Sequence, residues 1–536
     1  MGISDILTII TILIALAAFL SESNRKYIIL KFSRLNWIIL ILLAISIHFL
    51  LGFNWFLERM PFLSIFVFND AITSNVWAYF ITLTFLSMIV VKFFFGFYPS
   101  KKREIVIKEY INLILKGDFS TLIYLIDKYH FKDIIKYIQI IKKLNSDEIE
   151  QKKKPQIVKE LKENESGLYV YHIDTSSIFQ EIEEYKKKYR KVIKTNRLEY
   201  ADSIYHNIVL HDSFVEYISA NNPYFYTPII KELNTKELSQ RDFINRYLQV
   251  MTKYKNHSFF NEVYSNSTLI SSDDYDISEN SKILSALFND IAVIEINQAW
   301  RGIAEEALLE MDEEIRKKFS ILRKNENDQY KDKVRNYRIT IAIQYFDIML
   351  RKAILSGSTC FMWNYYYKHF VDSILKNLNT LPDNNSEINR NTRNFNLIEL
   401  IMKNLVDWIL LILETGKLNL LDSICRTIGS SMYSIAIEKN LNINDKNELI
   451  NYMFGPMINI DQYKKYNDEI VDKIFSGGLH SFLIPKNFEC SKDPIEFLNY
   501  RLTIIDIYKN YDKYMLFESN IKRRYNSFKS EVIDKL

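Results

Sequence analysis

Glycine and proline are scarce in this chain, at twelve and nine of 536 residues. Loops and β-turns draw on both, so their scarcity speaks against a turn-rich β fold and for helices. Cysteine is scarcer still, confined to Cys360, Cys425 and Cys490. No CxxC pair and no histidine at ligand spacing accompanies them. That argues against a disulfide scaffold or a zinc site and puts the bulk of the chain in a reducing compartment. A charge of one sign is missing too: 69 Lys and Arg against 65 Asp and Glu leave +4. There is no global signal for nucleic acid, and any basic site has to be local. No Ser or Cys sits in a nucleophile motif, and Ser476–Gly477–Gly478 lacks the further Gly and Lys of a phosphate loop. The sequence reads as a non-enzyme without cofactor or metal.

What the chain has instead is long apolar runs near its start. Trp37–Leu57 carries no full charge over 21 residues, and Val76–Phe97 carries only Lys92 over 22. At about 1.5 Å per residue, each is long enough to cross the roughly 30 Å hydrocarbon core of a bilayer. Ile6–Leu20 is apolar apart from Thr8 and Thr11, but it is only 15 residues long. A secretory signal is its rival reading. However, no Lys or Arg precedes it, and Ser21–Glu22–Ser23 makes a poor cleavage site. The expectation is a transmembrane region over 1–98 with three spans, at 5–21, 37–57 and 76–97.

Charge asymmetry orients these spans. The connection 21–36 holds Arg25, Lys26, Lys31 and Arg34, whereas 58–75 holds only Arg59. Positive residues favour the cytoplasmic side. The N-terminus is therefore expected outside, with Lys101, Lys102 and Arg103 inside a multi-pass inner-membrane protein whose bulk is cytoplasmic. Inside the runs, His48 lies mid-span, and Thr84 and Ser87 share a face of the third. They either hydrogen-bond between packed helices or line a pore, since ionisable groups within a membrane are usually functional.

Beyond the membrane, apolar residues recur at helical spacing. Helical windows over Lys102–Lys116, Phe119–Tyr129 and Phe131–Leu144 form an expected stalk at 99–146. A charged hinge is expected over 147–166, a helical sensor domain over 167–380, and a C-terminal helical subdomain over 394–536. Further windows are Ser177–Arg197, Phe243–Lys253, Ser281–Phe319, Val334–Leu355, Asn364–Leu378, Phe395–Glu414, Asn444–Tyr452 and Pro494–Lys509, with Gly167–Asp174 strand-like. Phe395–Glu414 is apolar enough to suggest another span, but Glu399, Lys403 and Asp407 draw a polar stripe along it, which marks a soluble core helix. The fold class is mainly α: a three-helix transmembrane region and a large, mostly helical cytosolic domain.

Several clusters could carry chemistry. Lys187, Lys188, Arg190, Lys191 and Arg197, interleaved with Tyr185 and Tyr189, could grip phosphates while the tyrosines stack on bases. The plain alternative is a solvated helix face, since Glu183 and Glu184 sit four residues before Lys187 and Lys188. His206, His211 and Asp212 suggest a metal or acid–base site, yet a spacing of five does not put two histidines on one helix face. Glu305, Glu306, Glu310, Asp312, Glu313 and Glu314 read as a solvated acidic face, or as a docking surface for a basic partner. Phe361–Tyr367 is an aromatic stripe, either core or platform.

This plan, apolar spans followed by a large helical cytosolic part without enzyme motifs, resembles the membrane effectors of prokaryotic anti-phage systems. It is most similar to the Hailong-type channel effector. The architecture carries the resemblance over the whole chain, and no functional residue is transferred with it. The resemblance implies a homo-oligomeric channel in the lipid bilayer. Such a channel stays quiet until a nucleotide or oligonucleotide messenger from a defence-system partner binds the cytosolic domain; it then depolarises the membrane. A membrane-anchored scaffold for protein interaction, or a divergent membrane-anchored enzyme, are the alternatives.

Overall fold

In the computed structural model, residues 32, 34–60, 74–95, 103–152, 196–233, 238–267, 277–317, 337–357, 364–379, 392–417, 420–439, 441–450 and 503 are described. Among them the fold is all α, with no β-strand. The strand-like 167–174 lies outside the described residues, as do the expected first span and all of 504–536. The described residues fall into two compact units. One runs to Phe214 without 141–153; the other takes 141–153 and the chain from Val215.

The first unit begins with α1 (Arg34–Leu51), the short α2 (Phe53–Arg59) and α3 (Ser74–Phe95). In α3 the stretch Ser74–Val91 is long and apolar enough to cross a membrane. The second expected span, 37–57, is not one helix: it breaks at Gly52, whose ψ of 10° leaves the helical region. The backbone bonds Gly52 N to His48 O and Phe56 N to Gly52 O still bridge the break. A residue without Cβ permits this bend, and one there would lie 3.3 Å from the His48 carbonyl. The uninterrupted apolar part, Leu35–Leu51, is 17 residues, about 26 Å long at the helical rise. One helix among the described residues, rather than three, therefore meets the length for a span, and a multi-pass arrangement is not shown.

Next come α4 (Arg103–Leu115), α5 (Phe119–Tyr129), α6 (Phe131–Lys152) and α7 (Asn196–Ile204). Asp118 caps α5 by accepting from Thr121 N at 3.3 Å, satisfying an amide that the first turn leaves open. Helix α6 runs six residues into the stretch expected as a hinge, 147–152. Helix α7 passes directly into a π-helical turn, Tyr205–Val209, in which Leu210 N donates to Tyr205 O at 3.0 Å, five residues back.

The second unit contains α8 (Asp212–Asn221) from Val215 onward, then α9 (Thr227–Glu232), α10 (Leu238–Lys253), α11 (His257–Ser267), α12 (Lys282–Leu287), α13 (Ile291–Asn297), α14 (Arg301–Arg316), α15 (Arg338–Ser356), α16 (Tyr365–Asn379), α17 (Arg393–Thr415) and α18 (Leu421–Ile437). Helix α15 is the hub: α10, α11, α13, α14 and α17 all pack on it, and most of its residues are buried. It stops at Gly357 with φ 70°, and α17 stops at Gly416 with φ 67°. Glycine takes that left-handed conformation without the Cβ penalty. The expected window Ser281–Phe319 is in fact α12, α13 and α14, separated by turns at Phe288–Asp290 and Gln298–Trp300. At Gly302 α14 approaches α10 so closely that a Cβ would lie 2.4 Å from the Asn245 carbonyl.

Candidate functional site

The feature that most needs a function is the surface of α1 and α3. Leu35 is 64% exposed, Ile45 59% and Phe80 54%, and similar residues are exposed on both helices outside the face where they meet. Leaving one such side chain in water rather than buried forfeits about 1.5–3 kcal/mol. A surface with more than a few of them is not built for water. Exposed aromatics stand near the ends of the runs: Trp37 early in α1, Trp55 in α2, and Trp77 and Tyr79 early in α3. Arg59 lies over the Trp55 ring at 4.4 Å. Amphipathic rings at both ends are the pattern of a membrane–water interface.

The two helices pack on each other with Leu40 and Ile47 of α1, and Ala78 and Thr82 of α3, buried. Ala78 and Thr82 are one turn apart, a small-residue pair of the kind that lets membrane helices approach closely. Thr82 returns its hydroxyl proton to Ala78 O at 2.7 Å. The residues singled out in the sequence lie elsewhere. His48, Thr84 and Ser87 are all exposed. Thr84 donates to Phe80 O at 2.9 Å. His48 Nδ1 lies 2.9 Å from Ala44 O, and since a carbonyl only accepts, Nδ1 carries the hydrogen. Within one chain these three do not join α1 to α3; Thr82 sits in the seam instead.

A second cluster lies at the π-turn. Tyr137 on α6 donates its phenolic proton to Asp202 Oδ1 at 2.5 Å. His206 Nε2 is 3.3 Å from the same oxygen and 3.3 Å from Tyr137 Oη. His206 thus pairs with Asp202, four residues earlier on its own face, and not with His211 or Asp212. His211 Nδ1 accepts from Ser213 N at 3.3 Å. Beside the triad, the buried His130 bonds to Tyr110 at 2.9 Å and stacks on Tyr200. Of the expected ligand-binding cations, Lys187, Lys188, Arg190 and Lys191 lie outside the described residues, and Arg197 falls in the first turn of α7.

The acidic run in α14 overturns its solvated-face reading. Glu306, Glu310 and Glu314 are only 4%, 5% and 3% exposed. They recur every four residues on the flank that also buries Ile303, Ala307 and Met311, so they face inward. Glu306 accepts from Gln249 at 3.0 Å and pairs with Arg338 at 3.3 Å. Glu310 accepts from the backbone N of Arg338 at 2.5 Å and pairs with Lys255 at 2.9 Å. It thereby caps the N-terminus of α15, where open amides and the helix dipole favour a carboxylate. Glu262 does the same for α12, accepting from Ile283 N at 2.9 Å and Leu284 N at 3.0 Å. Burial nevertheless pushes the Glu262 carboxyl up. Burial and then the nearby Glu314 and Glu310 push Tyr337 up to about 12. Of the acidic run, Asp312 and Glu313 stay exposed, and Glu305 pairs with Arg301 at 2.6 Å.

Deeper in the second unit, Asp347 Oδ1 accepts from Trp408 Nε1 at 2.7 Å and Arg351 Nε at 3.0 Å, and Arg351 also reaches Asp407 at 3.2 Å. Burial pushes the Asp347 carboxyl up against the pull of the Arg351 guanidinium. From the aromatic stripe, Tyr367 is core and donates to Ile343 O at 2.7 Å, while Tyr365 is exposed. Among the described residues no three His, Cys, Asp or Glu side chains are grouped to hold a metal ion. Comparison with known proteins gives no match: no family model, no characterised protein and no solved structure matches this chain.

Proposed function

We propose that the protein is a homo-oligomeric membrane effector whose N-terminal helices assemble into a channel, gated by an anionic ligand bound to its cytoplasmic helical part. The observation that carries this reading is the apolar surface of α1 and α3, with aromatics near its ends and with His48, Thr84 and Ser87 exposed within it. Ionisable groups such as His48 in membrane helices face a bundle interior or a water-filled cavity rather than lipid. A single chain offers them no such interior, and several chains around an axis do. In this reading 5–21, the bent pair α1–α2 and α3 enter the membrane with the N-terminus outside, and the three polar residues line the pore. Lys187, Lys188, Arg190, Lys191 and Arg197 take a nucleotide-like messenger made by a partner in an anti-phage system.

Gating demands differential affinity. Moving from about 1% to about 99% open takes roughly 5.5 kcal/mol of preference for the open state. That exceeds the usual coupling of one site, and symmetric sites supply it jointly. The burial of Glu306, Glu310 and Glu314 weighs against the rival reading of an anchored scaffold docking through this face.

The test is dye release from vesicles carrying the full chain, with a short oligodeoxythymidylate as polyanionic probe and a salt series. Release that is lost in Lys188→Glu/Arg190→Glu, together with an oligomeric mass in mild detergent, is the expected result. A monomer in detergent, or vesicles that stay tight under every condition, overturns the reading.

A further inference from the structure

The π-turn Tyr205–Val209 has no role in the reading above, and π-turns inside helices are frequent at functional sites. It is packed rather than frayed: Tyr205, Ile208 and Val209 are buried. Its neighbour is α4, on which both α7 and the π-turn pack; α4 buries Val106 and Tyr110, and Tyr110 bonds to His130, whose ring stacks on Tyr200 of α7. Only residues 96–102 separate α4 from the apolar helix α3. On the other side, α7 starts at Asn196, where the basic stretch ends. In sequence, α7 and this turn follow the expected ligand grip, and in packing they meet α4, the next helix along the chain from α3.

The junction also has the means to hold one of two positions. A π-turn holds one residue more than an α-turn, so converting it to α rotates the following chain by about 100°. Packed side chains do not follow such a step continuously, so a conversion would pass between two discrete positions. The position seen is tied across to α6 through one carboxylate oxygen. Asp202 Oδ1 receives the Tyr137 proton at 2.5 Å. Because Tyr137 has given its proton there, His206 Nε2–H is shared between Oδ1 and the phenol oxygen, each at 3.3 Å. Besides Asp202 and Tyr137, the ring facing His206 is Tyr205, at 5.0 Å.

We propose that Tyr137, Asp202 and His206 are positioning residues that set the register of this joint and so transmit the state of the ligand-binding stretch through α4 to α3. The purpose of the joint rests on the gated-channel reading; its mechanical linkage does not. The experiment uses the full chain in lipid nanodiscs, with no ligand and no current. It follows thiol labelling at Thr84→Cys by peptide mass, and hydrogen exchange over Arg103–Leu115. Tyr137→Phe and Asp202→Asn are expected to change the labelling rate by about fivefold, the lower end of common allosteric couplings, and to raise exchange along α4. Asn207→Ala is the control in the same turn, because its side chain donates only back to Ser203 O; it should leave both readouts unchanged. Exchange raised in 196–209 alone, with labelling at Thr84→Cys unmoved in both variants, makes the triad local packing and overturns the proposal. Vesicles that never leak would remove the channel reading and leave these readouts standing.

Discussion

Helices α3 and α17 are almost equal in length, 22 and 23 residues, both are dominated by apolar side chains, and they use them in opposite ways. In α17 the apolar residues point one way, and Ile401, Leu405 and Trp408 are buried while Lys403 is exposed. In α3 only 11% of the apolar window is buried. The difference lies in where the charges sit. Glu399, Lys403 and Asp407 give α17 a wet face every four residues, and α3 has no such face before Lys92. A helix apolar all round needs burial in a core or in lipid. What separates the two environments is the number of charges and where they fall round the helix.

The comparison breaks most readily at Trp408. Trp408→Ala opens a cavity and removes an indole donor from the buried Asp347, so a loss of about 3–5 kcal/mol is expected by urea unfolding. A change within about 0.5 kcal/mol would mean that this face is not core. The matching test in α3 reads insertion. Leu83→Arg places a charge mid-helix on an exposed position and should cost about 2.5–3.5 kcal/mol in a translocon insertion assay. Unimpaired insertion would make the helix a peripheral one. Third is Gly302→Ala, whose Cβ meets the α10 backbone; overpacking of this kind costs about 1–3 kcal/mol. An unchanged melting temperature would show that α10 and α14 separate freely.

The smallest effect is one of pH. The folded-state value of Glu262 lies above its unfolded value, so its contribution is full below the unfolded carboxyl range and is lost as pH rises through the raised value. Unfolding midpoints should therefore fall over that rise, by less in Glu262→Gln. Equal slopes would refute the burial argument for this carboxyl.

How much of this was legible depended on what each signal measures. Phe119–Tyr129 was readable to the residue, and Phe395–Glu414 nearly so, because amphipathic periodicity reports a helix directly. The break at Gly52 was not, since hydropathy is blind to one residue's dihedral. In the acidic run charge does not mean exposure. The usable signal was phase: Glu306, Glu310 and Glu314 share the spacing of Ile303, Ala307 and Met311. Asp202 with His206 was visible as an i,i+4 pair, but Tyr137, 65 residues from Asp202, joins it only through packing. At the α1–α3 seam, Thr84 and Ser87 drew attention as hydroxyls, whereas Thr82 lies there because Ala78, one turn earlier, leaves room.

The two carboxylates that cap helices from a distance have a consequence for how the chain is made. Glu262 precedes the amides it receives by 21 and 22 residues, and Glu310 precedes its own by 28 and 29. In both cases the cap leaves the ribosome before the helix it serves. Helix α12 has six residues, too few to hold together alone in water, and the carboxylate that caps it is already made when it emerges. Vectorial synthesis thus delivers template before segment, an order that refolding from denaturant does not enforce.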